Sequence, residues 1–176
     1  YVTDLAQAHR VVRWMGDTLR PYLGERVLEV GAGLGSLTRC LLPREQYVAS
    51  EFHDEYLSVL ETMASRRRRL KVARVDPAKS EHFESLRGEV DTVVCANVLH
   101  RMADPACALR NFHDVLVPGG RAIIVAAQGA WLESPLDHGL GHRNRYTRRG
   151  LHMELEQAGF RVESLFDFNR VGVPGW

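Results

Sequence analysis

The sequence predicts an α/β fold in which a mainly parallel sheet carries helices on both faces. Two observations point there. Short apolar runs alternate along the chain with segments of helical spacing. The run Val90 to Ala96 is continuous enough in apolar residues for a parallel strand buried on both sides.

The elements follow in order. Residues 4–22 place Leu5, Ala8, Val11, Val12, Met15 and Leu19 at helical spacing as far as Pro21. Arg26 to Gly31 is a strand running into glycines, 35–42 a helix stopped by Pro43, and 47–51 a second strand. A helix over 54–65 uses Leu57, Leu60 and Ala64, and the strand Leu70 to Val75 closes at Asp76 and Pro77. The strand 90–96 leads to a helix over 104–116, with Ala108, Phe112, Val115 and Leu116 on one face. Pro118, Gly119 and Gly120 form a turn, 121–127 a fifth strand, and 128–146 a polar loop with the character of a substrate lid. The last helix spans 147–158, with Thr147 as N-cap and Gly159 beyond its end, and Phe160 to Phe168 is a sixth strand.

Composition narrows the function. A chain of 176 residues is read as one domain, 1–176, and 45% hydrophobic with 26% charged residues excludes wholesale disorder. A net charge of +1 argues against a dedicated nucleic-acid partner, and the run Arg66 to Arg69 reads as a solvated helix end. Lysine occurs only at Lys71 and Lys79, so 21 of the 23 basic residues are arginine, a bias that suits a GC-rich genome. The longest apolar runs, such as Ala122 to Ala127, are too short to cross a bilayer, and the start shows no signal-peptide pattern. Cys40, Cys95 and Cys107 have no paired spacing, so neither a metal site nor a disulfide framework is expected. Cys40 and Cys95 are expected to be buried, in a reducing cytoplasm.

The chemistry concentrates at Glu29-Val30-Gly31-Ala32-Gly33-Leu34-Gly35, which follows a strand and opens a helix. Glu51 ends the next strand, 20 residues past Gly31, where a carboxylate meets ribose hydroxyls. Together these imply an adenosine-containing ligand. The dinucleotide fingerprint needs a glycine or alanine where Ser36 stands, and Glu29 beside the loop repels a pyrophosphate. The same carboxyl suits an ammonium and a sulfonium. Both points favour S-adenosylmethionine over a nicotinamide dinucleotide.

With these residues the chain resembles the class I S-adenosylmethionine-dependent methyltransferases, of Rossmann-like fold. The resemblance rests on Val27 to Gly35, Glu51, Asp76-Pro77, Asp91 to Leu99 and Leu116 to Gly120. It implies that Gly31, Ala32, Gly33 and Gly35, beside Glu29, wrap the methionine part. It further implies Glu51 on the ribose, Phe52 near the adenine, Asp76 with Pro77 at the adenine amine, and Asn97 and Val98 on the methionine side. Residues 136–147 and 158–176 resemble a bacterial methyltransferase subgroup found beside or fused to glycosyltransferases, which implies a sugar or glycan-linked acceptor and a glycosyltransferase association. Relatives often carry Leu-Glu-His where Leu99-His100-Arg101 stands, so a role tied to that Glu is not carried over. The fold normally ends in an antiparallel hairpin. Residues 169–176, with Gly172, Pro174 and Gly175, do not suit a strand, so the last antiparallel strand is expected to be missing and the chain to be part of something longer.

Transfer to an oxygen requires a group that takes the hydroxyl proton. The candidates are His100, just past the fourth strand, and His142 in the 128–146 loop, with His138 nearby. Arg143 and Arg145 could hold an anionic acceptor, while Arg148 and Arg149 read as solvated. Tyr146 and Trp131 could wall the acceptor or anchor the loop. The favoured function is O-methylation of a small molecule or sugar-linked acceptor. A cofactor-binding module without its own activity and an NAD-dependent oxidoreductase are the alternatives.

Overall fold

The computed structural model describes residues 2–127 and 146–167, with side chains described from His9 onward. The elements are α1 (Val2–Leu19), β1 (Arg26–Val30), α2 (Ser36–Leu41), β2 (Gln46–Glu51), α3 (Asp54–Ala64) and β3 (Leu70–Arg74). They continue with β4 (Val90–Ala96), α4 (Pro105–Val115), β5 (Leu116–Val125) and α5 (Arg148–Gln157). The five strands are all parallel, in the order β3-β2-β1-β4-β5.

Alternate residues of the central strands supply two cores. Leu28, Val30, Val93 and Cys95 pack with Phe83, with Leu109 and Phe112 of α4 and with Leu151 and Leu155 of α5. Val27, Tyr47, Ala49 and Val94 face Met15 and Leu19 of α1, Leu37 and Leu41 of α2, and Leu60 and Met63 of α3. Helices thus cover both faces. Helix α1 lies close on α2, for a Cβ on Gly16 would come within 2.6 Å of Cys40 Cβ. Cys95 is fully buried, whereas Cys40, at this contact near the surface, is half-buried.

The start of β1 is held by the start of β4. Asp91 Oδ2 accepts the N–H groups of Glu25 (3.1 Å) and Arg26 (2.9 Å), and Thr92 Oγ1 accepts that of Gly24 (2.8 Å). At the other end of the chain Thr147 caps α5, its hydroxyl accepting the N–H of Gly150 at 3.0 Å, and Gly159 follows at φ +97°.

Two further expectations change, and one segment is new. Residues 160–167 form no strand. Phe160 and Val162 alternate onto the core and Leu165 joins them three residues on, so packing accounts for the pattern, and no described strand runs alongside to complete a ladder. The turn at 118–120 lies within the span of β5, as an irregularity where Val90 pairs Leu116 and Thr92 already pairs Arg121. The crossover from β3 to β4 uses a short 3-10 stretch, Ser80–Leu86, which inserts Phe83 into the core. Residues 128–145 of the expected substrate lid, and residues 168–176, on which the expectation about the last antiparallel strand rests, lie outside the described residues.

Replacing Asp91 by Ala strands two backbone N–H groups at the entry to β1. A loss of about 2 kcal/mol is expected, read as a lower urea midpoint with unchanged slope.

Candidate functional site

Strand order reverses between β1 and β4, because β1 is followed on one side by β2 and bordered on the other by β4. Ligands of open parallel sheets sit at the carboxyl ends of the strands at such a point. Gly31, Gly33 and Gly35 follow β1 with φ of +74°, +54° and +72°. Gly31 is required twice over: a Cβ there would lie 2.5 Å from Val98 Cγ2. The N–H groups of Gly31 and Ala32 both donate to the Ser50 carbonyl at 2.9 Å, tying the loop to β2. Gly33 is different. A Cβ there would meet nothing within 4 Å, so its backbone is open to close approach from outside.

Glu51 ends β2 and is 7% exposed. Its Oε1 accepts the N–H groups of Phe52 (2.7 Å) and His53 (3.2 Å) and lies 3.1 Å from His53 Nδ1. Its Oε2 accepts only the N–H of Gly33, at 3.0 Å, among the described residues, and so keeps capacity for a hydroxyl. Burial pushes its pKa up, but these hydrogen bonds together outweigh it and hold the carboxyl below the ordinary 4.5. The adjacent Phe52 is 48% exposed, with its ring edge-on to His53.

Asp76 lies just beyond β3 on the same edge. Its Oδ1 accepts the N–H of Ala78 at 3.1 Å, and its own N–H donates to His82 Nδ1 at 2.9 Å. The carbonyl of Pro77 accepts from Asn111 Nδ2 at 2.8 Å, which fastens this turn to α4.

Between the glycine loop and α1 lies a cavity of about 150 Å³, bordered by Val12, Met15, Glu29, Gly31, Ala32 and Asn97. Asn97 reaches it through a left-handed turn, φ +60°, fixed by its N–H on the Val125 carbonyl at 2.8 Å. Val98 stands behind Gly31, against the core. Glu29 is 3% exposed, and its Oε2 accepts the hydroxyls of Thr38 (2.6 Å) and Tyr47 (2.8 Å). Burial lifts its pKa by more than these two bonds lower it. Two carboxyls flanking one loop are therefore shifted in opposite directions.

His100 is 3% exposed, and its Nδ1 accepts the N–H of Ala127 at 3.4 Å. A neutral ring held this way carries its proton on Nε2. Tyr146 is buried, its N–H donating to the Ala127 carbonyl at 3.0 Å, so it anchors the return of the 128–145 segment. His142, His138, Arg143, Arg145 and Trp131 lie outside the described residues. A larger cleft of about 410 Å³ opens among Arg39, Arg44 and Arg67 to Arg69, at the amino ends of β2 and β3 and so opposite the glycine loop. Arg44 and Arg67 there donate to carbonyls at the ends of α2 and α3, Leu41 and Met63, at 3.3 Å each. Sequence alone assigned Val12, Met15, Thr38 and Tyr47 no part in the site. A tyrosine inside an apolar strand, whose hydroxyl needs a buried partner, was the available signal.

This sheet order, a left-handed glycine loop at the reversal and an ionised acid ending the next strand define a nucleoside-binding α/β domain. A family model described as a methyltransferase domain matches residues 28–122, and the chain belongs to that family, as a class I S-adenosylmethionine-dependent methyltransferase domain. It is 33% identical over 113 residues, 59% of its length, to the highly reducing polyketide synthase stpks1 of Strobilurus tenacellus. It is 28% identical over 112 residues, 63% of its length, to the ubiquinone biosynthesis O-methyltransferase of Aeromonas salmonicida. The chain spans only 4% of the first relative and 47% of the second. The CurJ carbon methyltransferase superposes with a TM-score of 0.64 at 21% identity, over 82% of this chain and 44% of that one, and shows the same fold.

The residues present fit S-adenosylmethionine. Gly33 offers an open backbone face, Glu51 Oε2 a spare acceptor, and the Glu29 cavity a carboxyl lacking a cation among the described residues. When bound, this cofactor supplies a methyl group made electrophilic by a sulfonium.

Gly31→Ala is expected to cost about 2 kcal/mol or more and to abolish binding of S-adenosylhomocysteine, since both φ and Val98 oppose a methyl group. Glu51 adds stability above its ordinary pKa of 4.5 that is lost as pH falls through its lower folded value. Glu51→Gln should therefore flatten the acid side of the thermal midpoint against pH.

Proposed function

We propose that this domain transfers a methyl group from S-adenosylmethionine to an oxygen of a small-molecule or sugar-linked acceptor. The observation that carries the cofactor part is Glu29, a buried carboxyl bordering the loop cavity. An ammonium can hold this carboxyl in its charged form, whereas a pyrophosphate brings it no cation to pair with. In this reading Gly31, Ala32, Gly33 and Gly35 enclose the amino-acid end, with Asn97 opposite and Val98 holding Gly31 in place. Glu51 accepts ribose hydroxyls. Phe52 covers the adenine and Asp76 accepts from its amine, in a turn that Pro77 fastens.

The oxygen acceptor is supported by the name of the Aeromonas relative, and a sugar-linked one by the resemblance of residues 136–147 and 158–176 to the glycosyltransferase-associated subgroup. A glycosyltransferase partner follows from the same resemblance. A carbon acceptor is the second reading, favoured by the likeness to a carbon methyltransferase. Three free thiols suit a reducing compartment. For a hydroxyl acceptor, His142 and His100 are the groups proposed to handle the proton. His100 Nδ1 is engaged by the Ala127 N–H, so His142 is the first to replace.

Calorimetric titration with S-adenosylhomocysteine, and separately with NADH, tests the cofactor assignment. Binding of the first alone is expected, weakened at least about tenfold by Glu51→Ala. NADH bound in its place would overturn the reading. Labelled-methyl transfer to matched hydroxyl and activated-carbon acceptors then separates the two acceptor classes.

A further inference from the structure

Glu29 projects from β1 into the apolar layer under α1, α2 and α3, and its two oxygens have different surroundings. Oε2 accepts the Thr38 and Tyr47 hydroxyls at 2.6 and 2.8 Å. Neither of those residues borders the cavity beside the glycine loop, whereas Glu29 does. Oε1 accepts no hydrogen bond from a described residue. Tyr47 is 0% exposed, and Glu29 pairs with Ala49, two residues further along β2, across the β1–β2 ladder.

No cation among the described residues pairs with this carboxyl. From β2 it faces Tyr47, and Cys40 and Arg44 act on that phenol. From α1 it faces Val12 and Met15, from the start of α2 Ser36 and Leu37, and from β4 Ala96 and Asn97.

We propose that Thr38 and Tyr47 are positioning residues that make Glu29 a proton-linked receptor for the ammonium of the cofactor's amino-acid end. The free protein carries a proton on Oε1, and the incoming ammonium displaces it. The O–H bond at Oε1 breaks, the proton leaves to solvent, and an ammonium N–H donates to Oε1 instead. Both hydroxyls go on donating to Oε2, so the carboxyl keeps its orientation. Burial of Glu29 above its ordinary range acts in the same direction. This inference rests on the methyltransferase reading.

Affinity then rises with pH through the titration of Glu29 and levels off above it. Below that point it falls about tenfold per pH unit, with up to one proton released per ligand bound. The test is calorimetry with S-adenosylhomocysteine in buffers of different ionisation enthalpy, from about pH 5 to about pH 8, which counts the protons. Tyr47→Phe, and independently Thr38→Val, removes one donor from the carboxylate. Each is expected to move the whole profile to higher pH, with affinity near neutrality about tenfold weaker. Glu29→Gln is expected to abolish proton release at every pH. Release that survives in Glu29→Gln belongs to another group, such as His53 beside Glu51, and overturns the proposal. A flat profile with no proton released in the unaltered protein also overturns it, while leaving the methyltransferase reading intact. Failure to bind S-adenosylhomocysteine at any pH, with NADH bound instead, removes both.

Discussion

At Gly31 the chain leaving β1 passes so close to Val98 that not even a methyl group fits between them. Most of the site depends on this contact. The backbone must turn in the left-handed sense, which only glycine does without strain. Its next N–H groups then converge on the Ser50 carbonyl, Gly33 is presented outward, and α2 starts at Ser36. The loop stands clear of α1, and the cavity between them is what remains. The amino end of β1 is fixed separately by Asp91 and Thr92, so both ends of the central strand are set by β4.

Glu29 and Glu51 show how one residue type is driven to two states. Glu51 meets backbone N–H groups from the loop and from the turn after β2, and these favour the charge. Glu29 meets two hydroxyls within an apolar layer, which offset only part of the cost of burial. The two carboxyls that flank the glycine loop are therefore biased in opposite directions, Glu51 toward its charged form and Glu29 toward its neutral one.

Much of this was legible in the chain. Strands and helices alternate as their apolar periods dictate, and the acidic and glycine residues announce themselves by spacing. Glu51 needed only its distance from Gly31. Thr38 and Tyr47 escaped because their contact with Glu29 arises from the register of β1 on β2 and the rotation of α2, which no local pattern encodes. The segment after Gly159 was misread for the opposite reason: Phe160 and Val162 alternate like a strand, but alternation records burial and says nothing of a neighbour to pair with. Ser80–Leu86 is too short to show a period. The glycine motif names the donor well, whereas no described residue marks the acceptor.

The clasp of Tyr146 on Ala127 brings the chain back to the place where it left the sheet. Closing a segment between two fixed points costs little more as it lengthens, so the stretch between them can change in size and composition without disturbing strand register. The sheet and its glycine loop are thereby insulated from whatever length of chain that interval carries.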